Sequence, residues 1–319
     1  MLVDGYQSLP DCVTKFHNTL YVEGWFHHPT DELESVRLVG PFPVEHQVSA
    51  ANVAHAGVSA QLGANKGFVL QALFPCEAPV EELSIEWTTR SGRVLSAPLM
   101  QYARERQSCF ETPILLDKFR ALVEERNVKR ILDIGGRDRS KLGKPDLFPK
   151  AKTTVLDVIA AEGVDVVGDA HRLSAYFPAG AFDAVYSCSV FEHLLMPWKV
   201  AIEINKILKI GGIGLAHTHQ TLGMHDLPWD FWRFSSDAWD AIFNAGSGFK
   251  IIGRAMDAES FILPFIYQPD MQFPERGVGF EGSTVAFEKI SETRLDWDVQ
   301  VEDIIKSHYP EADDHNIKV

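Results

Sequence analysis

Cysteine is scarce in this sequence, with four among 319 residues. Cys12, Cys76, Cys109 and Cys188 are scattered with no C-x-x-C pair, which argues against a structural zinc site or a redox couple; buried, inert thiols are expected. Long apolar runs are missing too, and nothing approaches the ~20 residues that cross a bilayer. Residues 1–14 carry acidic and polar side chains where an export signal needs a basic start and an apolar core, so a cytoplasmic location is expected. Positive charge is in deficit: 30 Lys and Arg against 44 Asp and Glu leave a net charge of -14. That sign repels a phosphate backbone, and nucleic acid is not an expected partner. Also absent are the G-x-G-x-x-G spacing of a nicotinamide site after Ile134 and the G-x-x-x-x-G-K-[ST] loop of a nucleoside triphosphate site. No internal repeat or low-complexity tract is found.

What remains is an ordinary globular composition, 45% apolar, 11% aromatic and 23% charged, in a chain long enough for two domains. Up to about residue 99 the pattern has period two. Leu83, Ile85 and Trp87 alternate with Ser84, Glu86 and Thr88, as on a half-buried strand, and turns at His28-Pro29, Gly40-Pro41 and Ser91-Gly92 divide the strands. A small all-β sandwich is expected over 1–105. Trp25 and Trp87 fit its core better than a ligand platform.

At Thr112-Pro113 an N-cap residue followed by proline predicts a helix carrying Leu115, Phe119 and Leu122 on one side. Short apolar segments then alternate with helices: 131–134, 155–156, 164–167, 182–186, 213–216, 251–252 and 285–287. Seven strands with crossover helices imply a mostly parallel, Rossmann-like α/β sheet over 106–290, whose ligands bind at the carboxyl ends of the strands. Pro197 opens one clear crossover helix, with Val200, Ile204, Ile207 and Leu208 as its apolar stripe. The acidic stretch 291–319 is expected to be a solvated tail without chemistry, its Asp296-Trp297-Asp298 included.

Three strand ends carry the cofactor signal. Gly135 and Gly136 follow the first strand, where glycine lets a ligand approach the backbone. Asp157 ends the next strand about 20 residues on, where a carboxylate can accept from both hydroxyls of a ribose. Asp169 and Ala170 follow the third, a carboxylate for an exocyclic amine beside room for a flat ring. The set suits an adenine nucleoside.

With ILDIGG at 131–136, VLD at 155–157, GDAHRL at 168–173, FDAVYSCSVFEHL at 182–194 and EINKILKIGGIG at 203–214, residues 112–290 resemble the class I methyltransferases that use S-adenosylmethionine. The resemblance is to the small-molecule group related to the ubiquinone and menaquinone enzymes. It implies a cofactor site of Asp133, Gly135, Gly136, Asp157, Val158, Asp169, Ala170 and Ser187, with Ser187 beside the sulfonium. The family usually has two further glycines in the first loop, where this chain has Arg137 and Arg139. Arg137 is expected to reach the cofactor carboxylate by a charge-assisted hydrogen bond.

Methyl transfer to a hydroxyl needs a base, and histidine titrates in the right range. His171, His193, His217, His219 and His225 all fall at expected loop ends on the ligand side. His193 and His225 are the catalytic candidates. The stretch from His225 to Phe234 resembles the H-x-x-P-x-D-[FY]-W-R-[FY] segment of methyltransferases associated with cell-surface sugar and polysaccharide pathways. His217, Asp230, Trp232 and Arg233 are accordingly expected to bind substrate, although Trp229 and Trp232 packing the loop and an Arg233–Asp230 pair would account for the same residues. His217, His219 and His225 with Asp226 or Asp230 could hold a divalent metal, but their spacing is not diagnostic and no metal is assigned. Ser187-Cys188-Ser189-Val190 replaces the N-P-P-Y of base amino methylation. The expectation is therefore O-methylation of a small molecule or sugar intermediate by direct displacement, with self-association left open. The competing reading is an inactive scaffold protein of the same fold.

Overall fold

The computed structural model describes residues 2–16, 18–53, 55, 58–77, 80–99, 103–105, 111–138, 146–261 and 278–310. The chain divides into two units, Met1–Ser108 with Phe261–Val278, and Cys109–Ser260 with Gly279–Val319.

The first unit holds two sheets. One runs β1 (Leu2–Val3), β2 (Tyr6–Phe16), β3 (Thr19–His27), β6 (Gly67–Leu73), β5 (His46–Val53), with β9 (Ala103–Glu105) alongside β2; the other is β4 (Leu33–Val39), β7 (Ser84–Thr89), β8 (Val94–Pro98). A short helix α1 (Ser59–Leu62) interrupts the strands. Alternation along β7 buries Ile85, Trp87 and Thr89, as the period-two pattern requires. Both sheets contribute to one apolar cluster, with Leu20, Val22 and Phe68 from the first and Val36, Ile85 and Trp87 from the second. Trp87 is fully buried there, and Trp25 is half-buried. Neither forms an exposed ligand platform.

The second unit opens with α2 (Glu111–Glu125) and continues β10 (Arg130–Ile134), β11 (Lys152–Asp157), β12 (Val166–Val167), α3 (Leu173–Tyr176), β13 (Phe182–Cys188), α4 (Pro197–Ile207), β14 (Leu208–His219), α5 (Ala238–Ile242), β15 (Phe249–Phe261), β16 (Val278–Lys289) and α6 (Val301–Ile304). The sheet order is β12-β11-β10-β13-β14-β16-β15. From β12 to β14 the strands pair in parallel, and β16 returns antiparallel to β14. Side chains alternate between two covered faces. Leu132, Ile134 and Val185 join Val200, Ile204 and Ile207 of α4 in one cluster, while Ile131, Ala184 and Tyr186 join Phe119 and Val123 of α2 in the other. From β10 the chain moves outward to β11 and β12 on one side, then crosses back to β13 on the other side of β10. A crevice therefore opens beyond the carboxyl ends of these strands, the place where such sheets take ligands.

Pro197 occupies the first turn of α4, and the helix passes directly into β14 at Leu208. Its end is closed by Lys289, fully buried, whose Nζ donates to the carbonyls of Asn205 (2.7 Å) and Leu208 (3.0 Å); a cation there satisfies orphan helix carbonyls. Asn205 holds the chain beyond β16, donating to Ser291 O and accepting from Thr293 N.

That downstream segment departs from the expected solvated tail. Lys199, buried on α4, donates to Trp297 O (3.2 Å) and Val299 O (2.6 Å), and Trp297 Nε1 donates to Met196 Sδ. The tail is acidic yet docked, because its backbone carbonyls solvate a buried ammonium. The thiols depart as well: Cys76 and Cys188 are exposed and Cys12 is half-buried, since Cys188 stands at the open end of β13 and not within it. Cys109 and Arg139 lie outside the described residues. Among the described residues no helix is long and apolar enough to cross a membrane.

Candidate active site

An open cleft of about 720 Å³ lies at the ends of β10, β11 and β13. Gly135, Arg137, Asp157, Val158, Asp169 and Ala170 line one side, and Ser189, Val190, His193, Leu194, Trp229 and Tyr309 the other. Gly135 has φ +72°, and a Cβ there would lie 2.2 Å from Val190 Cγ2. Only glycine combines that backbone with that approach. Asp157 Oδ1 accepts from Ile159 N at 2.9 Å, and its Oδ2 stands 3.9 Å from Arg137 Nε. The Arg137 Nε is buried and makes no hydrogen bond to any described residue. A buried donor without an acceptor fits a cleft completed by a ligand rich in oxygen.

Asp169 is fixed by His171, which is buried. Oδ1 accepts from His171 N at 2.9 Å and from Nδ1 at 2.6 Å, while His171 Nε2 accepts the Met196 N–H at 3.1 Å. Because Nε2 is an acceptor, the proton must sit on Nδ1. Burial raises the Asp169 pKa, but the His171 hydrogen bonds, with the Arg172 charge nearby, outweigh it and hold the carboxyl below its ordinary value.

Beyond His193 the turn after β13, the end of β14 and the following loop meet. Glu192 is fully buried; its Oε2 accepts from the Thr218 hydroxyl, and its Oε1 has no hydrogen-bond partner. Burial pushes its pKa up. His219 Nε2 stands 3.3 Å from Glu192 Oε1, and burial, together with the neighbouring imidazoles and Arg233, lowers its pKa to about 4. His193 Nδ1 donates to Trp229 O at 2.7 Å, which leaves Nε2 3.6 Å from Asp226 Oδ2 and 3.8 Å from Glu192 Oε1. The His193 and His225 rings lie 4.9 Å apart. Tyr309, from the docked tail, donates to Asp226 Oδ2 at 2.6 Å.

Residues 142–216 match the family model of a methyltransferase domain. The second unit contains this methyltransferase-domain match, carried on a sheet of Rossmann-like strand order. The chain is similar in structure to a putative methyltransferase from Bacillus halodurans, at 12% identity over 55% of this chain and 98% of that one, TM-score 0.41. It is also similar to the 1,6-didemethyltoxoflavin-N1-methyltransferase of Burkholderia thailandensis with bound S-adenosylhomocysteine, at 13% identity over 55% and 78%, TM-score 0.38. A third is a SAM-dependent methyltransferase from Archaeoglobus fulgidus, at 15% identity over 56% and 98%, TM-score 0.37. No curated protein matches the chain.

Within the methyltransferase domain, Gly135, Arg137, Asp157, Val158, Asp169 and Ala170 gather on the cleft wall. Asp133 and Gly136 lie beneath it, with the Asp133 carboxylate 2.5 Å from where a Gly136 Cβ would stand. Ser187 does not face the cleft: it is buried and donates to Ile134 O at 3.3 Å, and Ser189 takes the lining position. Arg137 lines the same cleft, with its Nε 3.9 Å from Asp157 Oδ2.

None of the four expected substrate residues lines this cleft. Asp230 accepts from both Arg233 nitrogens (2.6 and 2.8 Å) and from His225 N, and Arg233 also donates to the carbonyls of Leu222, Gly223 and Trp232. The pair ties the loop to itself. Trp232 Nε1 donates to Leu194 O at 2.8 Å, and His217 Nδ1 pairs with Thr284 Oγ1 at 2.7 Å. Trp229, Tyr309, Val190, Ser189 and Leu194 are among the cleft residues that sequence reasoning missed; in the sequence Trp229 stands out only as one half of a Trp pair.

Proposed function

We propose that the chain is an S-adenosylmethionine-dependent O-methyltransferase acting on a hydroxyl of a small molecule or sugar-containing intermediate, with the N-terminal unit a β-sandwich accessory module. The observation that carries this reading is His193, which lines the cofactor cleft and belongs at the same time to the cluster of Glu192, His219, His225 and Asp226. Asp157 would hold the ribose hydroxyls, Asp169 the adenine amine, and the Gly135 turn the methionine end. Bound there, S-adenosylmethionine would supply an electrophilic methyl carbon with a neutral thioether as leaving group, and the histidine cluster or water would take the proton of the acceptor hydroxyl.

The chain's own part is positioning and proton removal. Val190, Leu194 and Trp229 form the apolar wall beside His193, and Trp229 gives the flat face that suits the C–H side of a sugar ring. The test is a mass-spectrometric screen of sugars, sugar nucleotides and phenols with S-adenosylmethionine. A 14 Da gain on a hydroxyl with matching S-adenosylhomocysteine release is expected. Transfer confined to nitrogen acceptors would overturn the O-methylation reading.

A further inference from the structure

We propose that Glu192, His193 and His225 form a binding site for one divalent transition-metal ion at the edge of the cofactor cleft. One ligand-type atom from each of the three lies within 4.8 Å of the others. A two-histidine, one-carboxylate set suits zinc and its first-row neighbours.

Three details orient these side chains as ligands. His193 Nδ1 donates to Trp229 O at 2.7 Å and His225 Nδ1 stands 3.1 Å from Gly223 O, so both imidazoles tie one nitrogen to a backbone carbonyl and leave Nε2 with its lone pair, the usual support of a metal-bound histidine. Glu192 gives Oε2 to the Thr218 hydroxyl and keeps Oε1 without a hydrogen bond although it is fully buried. Among the described residues no lysine or arginine pairs with Glu192; its neighbours are His193 and His219. A buried carboxylate oxygen with no hydrogen-bond donor and no lysine or arginine within ion-pair distance is costly, Arg233 acting on it only from further off, and an ion on the histidine side removes that cost. Asp226 Oδ2, 3.6 Å from His193 Nε2, stands next to the set.

Three protein ligands leave coordination positions open, and His193 places them on the cleft wall. An acceptor with two adjacent oxygens, such as a vicinal diol, is the chemistry those positions take, and an ion lowers the pKa of a bound hydroxyl. This role in acceptor activation rests on the methyltransferase reading above; the metal site itself does not.

The test uses the full, untagged chain stripped by chelator and titrated with Co²⁺, followed by visible absorption and calorimetry. One Co²⁺ per chain is expected, displaced by Zn²⁺ and not by millimolar Mg²⁺, with affinity at least tenfold weaker in Glu192→Gln and in His225→Ala. Glu192→Gln keeps the side-chain shape, and His225 is half-exposed on a loop, so both variants should fold, with circular dichroism as the check. Absence of stoichiometric uptake, or uptake that both variants leave unchanged, overturns the proposal. Titrating S-adenosylhomocysteine into the same wild-type sample separates the two readings. Cofactor binding without Co²⁺ uptake sinks the metal site alone; Co²⁺ uptake without cofactor binding supports the site and sinks the methyltransferase reading.

Discussion

Asp169 Oδ1 accepts two hydrogen bonds from one residue, His171, at 2.9 Å from the backbone N and 2.6 Å from Nδ1. The far nitrogen of the same ring accepts the Met196 N–H, so the imidazole bridges the third strand end and the approach to α4. His171 is thus a positioning residue for the carboxylate assigned to the adenine amine. Its replacement by Phe leaves a buried N–H unsatisfied and frees the carboxylate to rotate, at a cost of about 1–3 kcal/mol. Calorimetry should show S-adenosylhomocysteine binding roughly tenfold weaker, with a parallel loss in urea unfolding. Unchanged affinity would remove His171 from the site.

The same pair gives a pH dependence with a definite sign. The folded Asp169 pKa lies below its ordinary value of 3.8, with burial opposing and the His171 interactions prevailing. As pH falls, the unfolded chain takes up the proton first, so the stabilisation is complete above about pH 4 and fades as pH drops through the folded value. The stability gap between the wild type and Asp169→Asn should therefore be flat from neutrality to about pH 5 and shrink below about pH 4. A gap that widens on acidification would contradict the assignment.

Asp157 carries the ribose assignment. Hydrogen bonds to a charged group contribute about 1.5–3 kcal/mol each, so Asp157→Ala should weaken S-adenosylhomocysteine binding by roughly a hundredfold or more. Arg137 Nε, 3.9 Å from Asp157 Oδ2 and without a hydrogen bond, contributes through a ligand oxygen under the same assignment, and Arg137→Ala should cost roughly tenfold. Equal affinities in wild type and Asp157→Ala, read by calorimetry, would sink the site.

The parts of the second unit that the sequence made legible are those with local causes. Each expected apolar segment lies on or overlaps a strand, because a short apolar run between helices has only the sheet interior to enter. Gly135, Asp157 and Asp169 stand at strand ends, where topology brings them together. What was not legible depended on where a strand ends or on distance. Ser187 lies within β13 and donates to Ile134 O, and the lining role falls on Ser189, past the strand end where the backbone turns at φ +54°. Asp230 and Arg233, three residues apart, satisfy one another before any ligand can. The helix α2 starts at Glu111, two residues before the expected first helical residue Pro113, and Thr112 lies inside it and bonds Asp257 and Thr284, far along the chain. Tyr309 reaches Asp226 across 83 positions, and no local pattern announces such a pairing.

The docked C-terminal segment bears on both stability and the site. Lys199 is 3% exposed, and its ammonium donates to the carbonyls of Trp297 and Val299. Ending the chain at residue 296 removes those acceptors and leaves a buried charge, at a cost of several kcal/mol, or roughly 5–10 °C in Tm for a unit of this size. It also removes Tyr309 from the cleft lining and from Asp226, so cofactor affinity should fall as well. Lys199→Met in the shortened chain deletes the stranded charge and keeps the packing volume, and should recover most of the lost Tm while leaving the affinity loss in place. Those two responses separate the tail's structural role from its place at the site, and a shortened chain as stable and as tightly binding as the full one would refute both.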